Sequence, residues 1–230
     1  MKLTLLEWDN EQLEFLADGV PLPLLNVLRR YSLAKVPTYA IDEVMIIVNT
    51  SAMFDEILAH RLGMIPLVSE EGLSKLVDID PDVCSRCSES GEKPSEEMCE
   101  KCYVHMLLEA EATNSEVTVY SGSIKSEDPD VRPAYNNIPI VILAPGQRIS
   151  LELRARVGRG LEHAKWSPAS IAVVRHIPNI VIDKSLCNLC GKCAEVCPRK
   201  VLTVDGKGVA ITNLYNCIIC WQCVNSVSYT

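Results

Sequence analysis

The chain has 230 residues, 48% of them hydrophobic, and a formal net charge of -8 from 22 Lys and Arg against 30 Asp and Glu. That length exceeds a lone cluster-binding domain and fits one large domain or about two to three small ones. The acidic balance argues against a chain that grips nucleic acid by itself, because phosphate binding needs clustered Lys and Arg.

No secretory leader is expected, since Met1–Leu6 runs at once into Glu7, Asp9 and Glu11. The longest apolar stretches, 44–48 and 138–145, are too short to span a bilayer. The 11 cysteines fall largely in CxxC-type clusters, which points to a reducing compartment and metal ligation. The protein is expected to be soluble and cytoplasmic, with no membrane partner.

In chain order, residues 2–19 alternate loosely and contain Asp18-Gly19, a hairpin signal. Pro21 to Lys35 reads as a helix with the apolar stripe Leu24, Leu25, Val27, Leu28 and Tyr31, broken by Arg29 and Arg30 and ended by Pro37. Ile41–Asn49 reads as a strand. Asp55–Leu62 reads as a short helix closed by Gly63. Residues 78–102 form a polar, cysteine-bearing insertion. Strands are expected at Tyr103–Ala112, Glu116–Tyr120, Ile138–Leu143 and Ile149–Val157. In the last of these, apolar residues alternate with Ser, Glu, Arg and Arg, as on a half-buried strand. Residues 158–168 read as loop, and 170–175 and 179–183 as strand-like. Asp205-Gly206-Lys207-Gly208 signals a tight hairpin between two short strands.

Chemistry concentrates near the C-terminus. Cys187-x2-Cys190-x2-Cys193-x3-Cys197-Pro198 is the bacterial-ferredoxin pattern, in which three thiolates hold one iron–sulfur cluster and the fourth reaches to the other. Cys217-x2-Cys220-x2-Cys223 repeats the triplet, but Val227 stands where a fourth cysteine belongs. Cys197, Cys217, Cys220 and Cys223 can therefore complete a 4Fe-4S cluster. Cys187, Cys190 and Cys193 lack a fourth ligand, so their site is read as 3Fe-4S, water-ligated or empty. A pair of zinc knuckles is the alternative, but this spacing suits a cuboidal cluster better than a tetrahedral ion.

A second candidate centre is Cys84-x2-Cys87-x11-Cys99-x2-Cys102, two knuckles that can wrap one zinc with four thiolates. Ser88, Ser90, Gly91, Lys93 and Pro94 give the intervening loop little to bury, so a metal would supply ordering energy. Disulfides, reduced thiols or another cluster are the other readings. Glu56 and His60 share a helix face, which reads as a surface ion pair or packing contact. His163 reads as a structural or interface contact, and His105 and His176 carry no signal. No phosphate-binding glycine loop, nucleophile elbow or acidic magnesium motif is present.

Four stretches carry a resemblance: Asn26–Arg30; Val36-Pro37-x3-Ile41-Asp42-x-Val44; Asn49-Thr50-Ser51-x3-Asp55 through Gly63-x2-Pro66-Leu67; and Gly160-x2-His163-Ala164-Lys165-x2-Pro168. Together they resemble the D-type assembly subunit of archaeal RNA polymerase, which is similar to the bacterial alpha-subunit N-terminal domain. The resemblance implies an α+β fold with a two-part dimerisation domain at about 1–40 and 168–181. A mainly-β domain at 41–167, carrying the Cys84–Cys102 loop, would be inserted into it, with a ferredoxin-like iron–sulfur domain at 182–230. It also implies a strand and long helix beyond that domain, whereas this sequence ends at Thr230 and its last residues read as a truncated or altered tail.

By the same resemblance, the chain is expected to be a non-catalytic platform of DNA-directed RNA polymerase. It would pair with subunit L through the 22–35 helix and carry the large catalytic subunits, with small subunits N and P beside it. Nucleic acid would be met only through the assembled complex. The rivals are a ferredoxin-like electron-transfer subunit of an oxidoreductase and a zinc-dependent nucleic-acid-binding protein.

Overall fold

The computed structural model describes residues 1–9, 11–75, 81–88, 95–206 and 208–227, apart from the Glu96 side chain. The chain divides into two compact units, Met1–Val173 and Val174–Thr230.

The first unit opens with the antiparallel hairpin β1 (Lys2–Trp8) and β2 (Leu13–Asp18), with a bulge between Leu5 and Glu7. Its turn lies at Asp9–Gln12, where the Asp9 carboxylate accepts the N–H groups of Glu11 and Gln12 at 2.7 and 2.8 Å. Asp18-Gly19 is therefore not the hairpin turn. Gly19 instead takes φ +66° as β2 leads toward α1 (Leu22–Ala34), a conformation that favours glycine.

A long strand, β3 (Pro37–Asn49), follows and runs through the boundary read at residue 40. Helix α2 (Asp55–Gly63) buries Leu58 and Leu62 completely. Gly63 does not take a left-handed cap here. It is the last helical residue, and it lies against β3, where a Cβ would stand 3.4 Å from the Ile41 carbonyl. Three short helices follow, α3 (Glu70–Ser74), α4 (Pro81–Ser88) and α5 (Glu96–Cys102). The sequence-predicted loop residues Ser90, Gly91, Lys93 and Pro94 lie outside the described residues.

The remaining strands of this unit are β4 (Tyr103–Glu111), β5 (Val117–Tyr120), β6 (Lys125–Ser126), β7 (Pro139–Leu143) and β8 (Arg148–Arg159). An antiparallel sheet runs β3-β8-β4-β6, and β5 pairs with β7. The alternation read at 149–157 is real: Ile149, Leu151, Leu153 and Ala155 are buried, and Glu152 and Arg154 are exposed. Registering Ile46 with Leu151 and Leu151 with Leu108 builds one apolar face across three strands, which α2 covers. Each fully buried Leu or Ile contributes about 1.5–3 kcal/mol by leaving water, so this face supplies the dominant core.

Residues 169–183 form no strand, contrary to the propensity reading of 170–175 and 179–183. β-branched side chains favour a pleated surface only where a neighbouring strand supplies the ladder. Here Ile171, Val173 and Val181 stand 77%, 75% and 82% exposed.

The second unit contains α6 (Lys192–Glu195), the hairpin β9 (Leu202–Asp205) and β10 (Gly208–Ile211), and α7 (Gln222–Asn225). The hairpin falls where its turn signal placed it. Among the described residues, Val201 and Leu202 are its only buried apolar side chains.

Candidate metal centres and pairing face

The two cysteine runs of the second unit fold into the same backbone shape. In the first, Leu189 and Gly191 flank Cys190 with positive φ. In the second, Ile219 and Trp221 flank Cys220 the same way. The turns that follow also match. Glu195 N–H donates to the Gly191 carbonyl as Asn225 N–H does to Trp221, and Val196 to Lys192 as Ser226 to Gln222. Cys197 N–H donates to Ala194 at 3.4 Å, and Val227 N–H to Val224 at 3.3 Å. Val227 thus occupies the backbone place of Cys197, and the missing fourth cysteine is a substitution inside an intact turn.

A cavity of about 340 Å³ opens in this unit, lined by Cys197, Cys217, Cys220 and Cys223 with Pro198, Val201, Leu202, Ile218 and Trp221. Cys187, Cys190 and Cys193 do not line it. Its chemistry suits thiolate ligands. The Cys197 sulfur accepts the Val201 N–H at 3.4 Å, and that bond holds its thiol below the usual range. Burial pushes the Cys223 thiol up, and the neighbouring Cys197 and Cys220 add to the rise. A bound cluster would relieve that crowding by holding these sulfurs as thiolates. Four sulfurs around a roomy cavity fit a cluster rather than a lone zinc.

The four cysteines of the insertion come together differently. Cys84 and Cys87 stand one turn apart on α4, and Cys99 and Cys102 one turn apart on α5, so each helix turns two sulfurs to one face. The structure joins them as disulfides, Cys84–Cys102 and Cys87–Cys99, with Cα separations of 5.5 and 5.6 Å. This departs from the expected zinc held by four thiolates. The convergence is as expected, but each sulfur finds one partner across the helix pair. Cys84, Cys87 and Cys102 are buried with Cys99 and Tyr103 against them. An ion pair between Arg159 and Asp82 ties α4 to β8.

Helix α1 carries the third candidate surface. None of its residues is buried. Leu24, Val27, Leu28 and Tyr31 are 50–56% exposed at i, i+3, i+4 and i+7, one continuous stripe. Leu25, read as part of that stripe, is half-buried at its edge beside Leu28. Arg29 folds back onto the Asn26 side chain at 3.0 Å rather than interrupting the stripe.

The histidines prove structural where they prove anything. His163 Nδ1 accepts the Lys165 N–H at 3.1 Å and caps the short 164–166 turn. His60 forms no ion pair with Glu56 among the described contacts. Sequence reasoning missed Arg156, a buried cation on β8, and Asp42, its partner at 2.7 Å. The signal was present as Asp42 and Lys165 inside the family blocks, but nothing in their spacing showed that they meet.

Residues 44–185 match the RNA polymerase Rpb3/RpoA insert domain, and residues 180–203 match a 4Fe-4S binding domain. These matches define an RNA polymerase subunit of the Rpb3/RpoA class that binds an iron–sulfur cluster. The chain is 39% identical over 227 residues to the DNA-directed RNA polymerase subunit Rpo3 of Methanosphaera stadtmanae, covering 97% of this chain and 78% of that one. It is 38% identical to the Rpo3 of Archaeoglobus fulgidus, covering 94% and 76%, and 39% identical to that of Aeropyrum pernix, covering 88% and 69%. The chain belongs to the archaeal Rpo3 family and is an assembly subunit of DNA-directed RNA polymerase.

Proposed function

We propose that this protein pairs with the small subunit L through the exposed face of α1, and that the pair is the platform for the large catalytic subunits. Small subunits N and P would sit beside it, and nucleic acid would be met only through the assembled enzyme in the cytoplasm. The observation that carries the reading is the unpartnered stripe Leu24, Val27, Leu28 and Tyr31 on a helix with no buried residue. A surface helix of that kind ordinarily buries its apolar side against something. Leu28→Asp is expected to abolish co-purification with subunit L, because a desolvated, unpaired charge costs several kcal/mol. Undiminished pairing of Leu28→Asp would rule the helix out.

The clusters serve architecture in this reading. Cys197, Cys217, Cys220 and Cys223 hold a 4Fe-4S cluster, and Cys187, Cys190 and Cys193 hold a 3Fe-4S cluster with no ligand from Val227. Cys84, Cys87, Cys99 and Cys102 hold one zinc when reduced. Support for the zinc comes from their shared apolar pocket and from the scarcity of disulfides in reducing compartments. A ferredoxin-like electron carrier is not favoured, since the relatives match nearly the whole chain and not the cysteine region alone.

A further inference from the structure

The segment that follows β8 is built as a clamp. Trp166 is 3% exposed, and its indole N–H donates to the Arg156 carbonyl at 3.1 Å. Two cations lie against its ring, the Arg156 guanidinium carbon and Lys165 Nζ, each 4.2 Å from the centroid. Both also grip Asp42 of β3, at 2.7 Å from Arg156 Nε and 2.6 Å from Lys165 Nζ, and Lys165 donates further to the Ile41 carbonyl at 3.1 Å. Gly158 makes room for this, since a Cβ there would meet the indole at 2.5 Å. Glu162 also pairs with Arg156 at 3.1 Å, so four charges meet around the ring where an unpaired one would be costly, which fixes the geometry of the segment sharply.

From that fixed point the segment reaches α1. The Ser167 hydroxyl donates to the Leu33 carbonyl at 2.9 Å, and the Leu161 N–H to the Ala34 carbonyl at 3.1 Å. Lys35 and Val36 close the same end by donating to the Tyr31 carbonyl at 2.9 and 3.3 Å. Gly160 presses on the same end: a Cβ there would stand 2.2 Å from the Leu33 oxygen, with its next contacts also on Leu33 and Ala34. Helix α1 is therefore anchored at its C-terminal turn, while Leu24, Val27, Leu28 and Tyr31 stand about half exposed along its open side.

We propose that the 158–167 clamp is a positioning device that sets the pose in which α1 presents Leu24, Val27, Leu28 and Tyr31, so that pairing strength is controlled by residues off the pairing stripe. This rests on the reading of α1 as the pairing face. Lys165, Trp166 and Gly160 act through α1 and touch no partner themselves. A small tilt at the held end swings the free end of the stripe, so the loss of one anchor is felt as affinity.

The test measures binding of the full chain to subunit L for the wild type, Leu28→Asp, Gly160→Ala, Lys165→Met and Lys165→Arg, with amide exchange on β8 and α1. Gly160→Ala and Lys165→Met are expected to weaken pairing about tenfold, the equivalent of one lost anchor. Exchange should quicken in α1 while β8 stays protected, and Lys165→Arg should keep near-normal pairing. If Leu28→Asp breaks pairing but Gly160→Ala and Lys165→Met bind as the wild type does, the positioning proposal is overturned while the pairing face stands. If Leu28→Asp binds normally, the pairing face fails and the proposal fails with it. Should Lys165→Met also expose β8, Gly160→Ala decides, because the three nearest contacts of its methyl are all on α1. Loss of β8 protection in both would make the segment a fold element only and overturn the proposal.

Discussion

The two units of this chain are held together by different physics. Met1–Val173 has a continuous apolar core across three strands and a covering helix, with Leu58, Leu62, Leu108, Leu151 and Leu153 fully buried. Among its described residues, Val174–Thr230 buries the apolar side chains of Val201 and Leu202 and, beyond them, has sulfur. A unit that small cannot offset its chain entropy by burial, so ligand bonds must supply the difference. Among the described residues, the non-glycine positions with positive φ all lie in the second unit: Leu189, Lys200, Ile219 and Trp221. Such residues persist only where the surroundings over-determine them; in the proposed ligation, clusters bonded to Cys190 and Cys220 would do that for Leu189, Ile219 and Trp221.

The contrast breaks most visibly at Cys220. Cys220→Ser is expected to lose the main cluster and unfold the second unit, while the first keeps its own transition. Iron counting, electron paramagnetic resonance and a two-step melt would check this. Unchanged iron would remove Cys220 from the ligand set, and two equivalent four-iron signals in the wild type would show another ligand replacing Val227.

The reciprocal cut is Leu151→Ala. Leu151 is fully buried between Ile46 and Leu108. Its truncation is expected to destabilise the first unit by about 2–5 kcal/mol through lost burial plus a cavity. Iron content should not change. A drop in bound iron would mean that the two units do not stand on separate supports.

How much of this was legible beforehand differs by unit as well. The cysteine runs and the 205–208 turn could be read directly, because ligand spacing and turn chemistry are local. The alternation at 149–157 was equally plain, but Arg156 breaks it, and no local pattern says that a cation will be buried against Trp166 and Asp42. The 158–168 stretch read as loop because of its glycines. In the fold, Gly158 continues β8 and admits an indole, and Gly160 admits a helix end. Residues 170–175 and 179–183 were misread for the converse reason: their β-branched composition is local, but a ladder partner is not. Leu25 shows the same limit, since a helical stripe gives a face but not its edge.

A pH test sharpens the first unit's reliance on burial. Tyr39 is 4% exposed, and burial raises its phenol from 10 to about 12. A raised folded value means that the neutral ring's contribution is intact below the unfolded value and is lost as pH climbs through the folded one. Stability should therefore fall between about pH 10 and 12, by roughly 2–3 kcal/mol in all. Tyr39→Phe should flatten that limb without touching stability at neutral pH by a similar route. An unchanged alkaline limb in the variant would place the loss elsewhere.

The smallest effect belongs to the surface. Lys75 Nζ sits 2.8 Å from Asp128 and 2.6 Å from Asp130, bridging α3's end to the 128–130 turn. The hydrogen bond from Lys75 lowers the Asp128 carboxyl below its ordinary 3.8, helped by the Asp130 N–H. A depressed folded value contributes stability that is present above the unfolded value and lost as pH falls through the folded one, so the contribution should hold at neutral pH and fade below about pH 4. The Lys75 side chain is half exposed, and exposed pairs are screened by water and salt. Asp128→Asn should thus barely move the neutral melting temperature and should soften the acid limb of the first unit, an effect that added salt diminishes. If Asp128→Asn instead destabilised the unit at neutral pH as strongly as Leu151→Ala, charge rather than apolar burial would be what holds it.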